Sequence, residues 1–218
     1  SFMPGVFLFF FKNVENVQED SLKEGNIRNL KSIVLQPRFL QAITAAAFAY
    51  AVMSFLMTAT PLSMHVMENM SLKETGLVLQ FHVVAMFLPS LITGNLIKKY
   101  GHSAIIYGGV LFFFITVLLS LFEQTYLNYM LSLIFLGLGW NFLFISGTSL
   151  VVLTYNKEEK FKVQGINDLI VFSTMALASL SAGILLNSIG WKMMNIICIP
   201  FLILIILVSF VADKKSAS

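Results

Sequence analysis

Between Lys162 and Lys192 lie 29 positions that carry a single charge, Asp168. A carboxylate at the bilayer centre costs about 2.5–3.5 kcal/mol to insert, and Asp168, six residues from Lys162, lies shallower than that. Its chemistry there is that of a protonatable switch, raised in pKa by desolvation and lowered by a nearby cation or an opened water path. The alternative is an acid in the first turn of a membrane helix, held by the helix dipole and wet headgroups, with Gln164 at i, i+4 on the same face. His82, with an ordinary pKa near 6.5, has the range to follow a proton gradient, or it is a neutral ring bonded between helices. The two sit at different depths and are not expected to pair. Trp140 and Asn141 fall at mid-depth in another apolar run, where an indole face suits stacking on a ring-shaped ligand. Asn141 and Thr148, seven apart, share a helix face suited to orienting a polar solute. Close helix packing through Gly137 and Gly139, with Asn141 bonded across, is the competing reading. Tyr50, Met53, Ser54 and Met57 form one helical stripe that serves either a ligand or packing.

These side chains need a scaffold, and composition fixes its kind. Of 218 residues, 57% are hydrophobic and 11% charged, against about a quarter charged in soluble domains. So much apolar surface cannot be hidden from water in a globule of this size, so the solvent is lipid. A soluble enzyme and a disordered chain are both excluded. The uncharged runs from Glu74 to Lys98 and from Lys99 to Glu123 are 23 residues each, and that from Lys192 to Asp213 is 20. A membrane helix needs about 20. Six spans are expected, near 39–60, 75–97, 104–122, 126–154, 163–187 and 193–212. Lipid offers no partners for backbone groups, so the spans are helices, and the alternation of a β-barrel is missing. The fold class is an all-α polytopic membrane protein.

Basic residues orient the spans. Twelve of the fourteen Lys and Arg fall on one side, including Arg38, Lys98, Lys99, Lys157, Lys160, Lys162, Lys214 and Lys215; only Lys73 and Lys192 fall on the other. The rich side is expected to be cytoplasmic, with the tail 213–218 there and the protein in the inner cell membrane. The net charge of +3 is read as this topology signal and not as a nucleic-acid surface. Residues 1–11 are apolar but only half a span long, and read as the tail of a preceding transmembrane helix. Residues 12–38 read as a cytoplasmic linker, either a solvated tether or short amphipathic pieces on the membrane surface. The lone Cys198 excludes a disulfide framework, and the scattered histidines exclude a histidine-rich metal centre, so no metal or cofactor is expected. No nucleophile–base pair stands at catalytic spacing, which argues against an enzyme.

Gly94-Asn95-Leu96-Ile97-Lys98-Lys99-Tyr100-Gly101 resembles the loop motif of the major facilitator superfamily, matching at Gly94, Leu96, Lys99 and Gly101. The family's acidic position is Lys98 here, and its following basic pair is His102-Ser103. Met57–Leu62 and His82–Ser90 resemble a bacterial branch with members assigned to riboflavin uptake. The resemblance covers the whole chain, as the end of helix six, the linker and helices seven to twelve of a twelve-helix transporter. It implies a missing N-terminal six-helix half as partner, a small organic solute as cargo, and gating through the Gly94, Lys99 and Gly101 loop.

Polar residues divide the spans. The third and sixth hold no charge, His or Gln and read as scaffold, whereas the first, second, fourth and fifth carry the candidates. Tyr50, His82, Trp140 and Asn141 are the expected substrate contacts, and Asp168 the coupling or gating group. The function expected is alternating-access transport of riboflavin or a similar vitamin, with drug efflux or metabolite uptake as other cargoes. A six-span scaffold or truncated remnant without transport is the alternative.

Overall fold

The computed structural model describes residues 28–217, so the expected helix tail 1–11 and the linker positions 12–27 lie outside the described residues. Helix α1 spans Leu30–Val34 and α2 spans Pro37–Pro61, followed by a π-helical turn over Leu62–Met67. Then come α3 (Leu72–Phe87), α4 (Ser90–Tyr100), α5 (His102–Ser120), α6 (Tyr126–Val152), a 3₁₀ turn (Lys157–Glu159), α7 (Lys160–Ile197) and α8 (Ile199–Ala217). No strand occurs among the described residues.

Five helical stretches are long and apolar enough to cross a membrane, against the six spans expected. The difference is the last stretch, Lys157–Ser216, whose 60 residues would run about 90 Å if straight, three times the hydrocarbon thickness. It turns instead at Gly190, where φ is +76°, a conformation matched only by Gly101 (φ +83°) at the α4–α5 turn among the described glycines. Side-chain bonds mark the two ends of the bundle. Arg38 in the first turn of α2, Ser103 opening α5 and Asp213 closing α8 meet at one end. At the other, Ser63 after α2 bonds Tyr129 opening α6, and Trp191 after Gly190 packs on the same Tyr129. The chain therefore passes six times between the two ends. Trp191 is buried against Tyr129.

Local chemistry starts and stops these helices. Ser71 and Glu74 close a capping box on α3, and the Thr125 hydroxyl accepts from the Asn128 N–H to open α6. Pro89 has no N–H and divides the second pass into α3 and α4.

Helix α6 is the hub. In lipid, apolar side chains gain little by leaving their solvent, so helices are held by close packing. A Cβ on Gly147 would lie 2.7 Å from Ala42 O of α2, and one on Gly137 2.7 Å from His82 O of α3. One on Gly139 would collide with the Phe113 ring of α5. The faces of α3–α4 and α7 away from this hub stay open, with Phe81, Phe87, Leu91, Leu169, Phe172 and Leu180 exposed.

Candidate functional site

Five aromatic rings from α2, α3, α6 and α7 meet at mid-depth. The Tyr50 ring stands edge-on to Trp140 (centroids 5.2 Å, 87°) and to Phe144 (4.8 Å, 86°). Phe144, one turn after Trp140, stacks on it at 5.0 Å and 15°. Phe87 meets Trp140 edge-on at 5.9 Å, and Phe172 tilts against Tyr50 at 6.1 Å. These four passes are the ones whose polar residues set them apart in sequence.

Exposure assigns the roles within the cluster. Trp140 is 3% exposed and its ring is covered by Phe144, Tyr50 and Phe87, so it backs the wall and does not itself offer a free face. Phe87 and Phe172, 59% and 51% exposed, present the open rings. Sequence reasoning missed both, since a Phe in an apolar run carries no polar mark. Two donors belong to the same wall: among the described residues, neither the buried Trp140 Nε1 nor the half-buried Tyr50 hydroxyl has a partner.

Asn141 is fully buried with its amide bonded to the second pass. Its Nδ2 donates to Met86 O (2.6 Å) and Ser90 Oγ (2.7 Å), and its Oδ1 accepts from Thr93 Oγ1 (2.7 Å). His82 is also fully buried, with Nδ1 bonded to Leu133 O at 2.7 Å and Nε2 unpartnered. Thr148, paired with Asn141 in sequence, bonds Phe144 O of its own helix at 2.7 Å.

Asp168 is exposed, and its Oδ1 accepts from Asn167 Nδ2 at 3.1 Å. Gln164, four residues earlier on the same helix, donates to the Tyr155 hydroxyl at 2.6 Å. Asp168 and Phe172 are four apart on α7, so the carboxyl stands about 6 Å along the helix from the open ring. On the α4 loop, Gly101 supplies the left-handed turn. Gly94 has open space where a Cβ would stand, and Lys99 Nζ lies 5.0 Å over the Tyr100 ring. The structure thus brings Tyr50 and Trp140 together with Phe87 and Phe172. His82 and Asn141 are occupied between α3 and α6, and Lys99 stands apart at the bundle's end.

That end carries two polar clusters. Arg38 bonds Asp213 Oδ1 and Gln41 Oε1, both at 2.7 Å, while Ser103 Oγ bonds Asp213 Oδ1 at 2.5 Å and Tyr107 bonds Asp213 Oδ2 at 3.2 Å. Beyond the passes, Arg28 grips Glu159 through its backbone N–H and Nε (both 3.0 Å) and its terminal nitrogen (2.6 Å). The Arg28 guanidinium and the Asn156 N–H hold the Glu159 carboxyl down to about 2, and the same pair raises Arg28. The charges that flank the first and last runs were the only sequence signal for the Arg38–Asp213 pair.

A sequence model of the Major Facilitator Superfamily matches residues 3–167 and, in a second alignment, 42–218. The chain belongs to the major facilitator superfamily. It is 39% identical over 179 residues, 82% of its length and 45% of the relative's, to the riboflavin transporter RfnT of Brucella anthropi. It is 27% identical over 192 residues to the uncharacterized MFS-type transporter YdeG of Bacillus subtilis, covering 87% of this chain and 44% of that one. To YddS of the same organism, also an uncharacterized MFS-type transporter, it is 30% identical over 151 residues, 68% of this chain and 34% of that one. The chain thus spans less than half the length of each of these relatives. Family and hydropathy together make it a multi-pass membrane protein of a transporter family.

Proposed function

We propose that this chain forms the second half of a secondary transporter that carries a flat heteroaromatic solute, riboflavin or a close analogue, by alternating access. The observation that supports the reading most is the aromatic wall. Phe87 and Phe172 offer ring faces for stacking, and the half-buried Tyr50 hydroxyl adds a donor suited to the carbonyl or ring-nitrogen acceptors of such a solute, with Trp140 backing the wall. The likeness to a riboflavin transporter points to the same cargo. The open faces of α3–α4 and α7 are where an upstream six-helix half would close the solute site near the bilayer midplane.

The basic end of the bundle is assigned to the cytoplasm, by the excess of Lys and Arg in its connections, with the C-terminus on that side of the inner membrane. Asp168 is assigned to coupling. It is an acid at membrane depth on the open face, one turn from the solute wall, bonded to a neutral amide.

Uptake of labelled riboflavin by the full-length protein, in a host without its own uptake, tests the reading. Accumulation that is blocked by an unlabelled tricyclic flavin ring and untouched by ribitol is expected. Absence of accumulation, or equal competition by ribitol, contradicts it. Replacing Asp168 with Asn is expected to abolish the pH dependence of that uptake; a retained pH profile removes Asp168 from coupling.

A further inference from the structure

The backbone ladder of the second pass cannot run through Pro89, which has no N–H, and the helix parts into α3 and α4 across Leu88 and Pro89. Pro89 takes the donor from Ala85 O, four residues back, and lipid offers no water in exchange. Asn141 of α6 ties the two sides of that break together. Its Nδ2 reaches Met86 O on the α3 side of the break and Ser90 Oγ on the α4 side, at 2.6 and 2.7 Å. Its Oδ1 takes the Thr93 hydroxyl, one turn into α4, which also bonds Pro89 O at 2.8 Å. One amide therefore spans the break with three bonds, and both Asn141 and Thr93 are fully buried.

The two sides of the break are held very differently. Helix α3 lies against the α6 backbone: a Cβ on Gly137 would come within 2.7 Å of His82 O and 3.0 Å of Met86 N, and the His82 ring is bonded to Leu133 O. On α4, Leu91 is 78% exposed and Gly94 has no atom within 4 Å of where its Cβ would be. Asn141 stands at the boundary between α3, packed on the α6 backbone, and α4, tied to α6 through Thr93, and it follows Trp140, whose ring meets Phe87 of the solute wall.

We propose that Asn141 is a positioning residue of the transport cycle: it sets the angle between α3 and α4, and α4 swings about Pro89 when Ser90 and Thr93 let go of its amide. The proposal rests on the alternating-access reading above. The step exchanges hydrogen bonds only. Met86 O keeps its donor throughout, so the anchored side stays satisfied while the α4 side changes partners.

The test uses the full-length protein in lipid, free of other cysteines and with Cys198→Ser, carrying spin labels at Leu72→Cys and Tyr100→Cys, two exposed ends of the broken pass. Pulsed-EPR distances between the labels need no solute, so they stand or fall apart from the riboflavin assignment. Asn141→Leu is expected to broaden and shift the distances, and Thr93→Val to do so in part. Adding Pro89→Ala to Asn141→Leu, which restores a backbone N–H, is expected to narrow them again. Maximal transport rate should fall roughly three- to twenty-fold in Asn141→Leu, the range that single membrane hydrogen bonds allow, with solute affinity held. Should Asn141→Leu fail to reach the membrane, Thr93→Val carries the same comparison. Distances unchanged by the variants, or a loss of affinity with the maximal rate intact, overturn the proposal.

Discussion

Helix α6 and the open stripe of α3–α4 and α7 face the same midplane and are built on opposite terms. Along α6, Gly137, Gly139 and Gly147 admit neighbouring backbones and rings so closely that no Cβ fits. Along the stripe, Phe87, Leu91, Phe172 and Leu180 lie bare, and Gly94 has empty space around it. The contrast separates what holds this half together from what it offers to a solute and to a partner half. A transporter needs both, because a wall that was fully packed against its own bundle could neither bind nor move.

The sharpest way to break that contrast is to fill both kinds of glycine. Gly147→Val places atoms against Ala42 O and Ala46 N, and should cost about 1–3 kcal/mol or more, seen as a lowered melting temperature in detergent. Gly94→Ala, inside α4 with free space, should be neutral or stabilise by up to about 1 kcal/mol. Equal losses at the two sites would erase the distinction.

A smaller effect is expected at the bundle's end. Arg38 and Asp213 are 36% and 33% exposed, so a double-mutant cycle with Arg38→Met and Asp213→Asn should give a coupling of about 1 kcal/mol in thermal stability. No coupling would mean that Gln41, Ser103 and Tyr107 hold the three helix ends without the charge pair.

The smallest effect concerns acid. The Glu159 carboxyl is held at about 2, below its ordinary 4.5, so its stabilisation of the clamp with Arg28 is complete well above 4.5 and is lost progressively as pH falls from there through about 2. Hydrogen-exchange protection factors across residues 28–36 should therefore stay flat from pH 7 to pH 6 and decline as pH falls below about 4.5. A drop completed between pH 7 and pH 5, or none by pH 2, would contradict the clamp.

Much of this was legible in the residues. Runs between charges located the helices, and Pro89 marked the break in the second pass. The polar residues picked out the four passes that meet at the aromatic wall. The reversal at Gly190 was legible as an end of the fifth run, though the helix continues two residues past the expected 187. What stayed hidden was direction. Helical spacing does not say which side of α6 Trp140 turns to, so the indole expected to stack on a ligand proved to be the backing of two phenylalanines that sequence left unmarked. Asn141 was visible as polar, but its three partners lie 48 to 55 positions away, and no local pattern pairs them. Arg38 and Asp213, 175 positions apart, were hidden for the same reason.

The most direct measurement is a titration of flavin fluorescence with the purified full-length protein, alongside the Phe87→Ala, Phe172→Ala double variant. Stacking on the wall should quench the emission. Each aromatic contact contributes about 0.5–1.5 kcal/mol, so losing both rings should weaken binding about tenfold, with thermal stability unchanged. Equal affinity in the two proteins, or no quenching by either, would contradict the aromatic wall as the solute site.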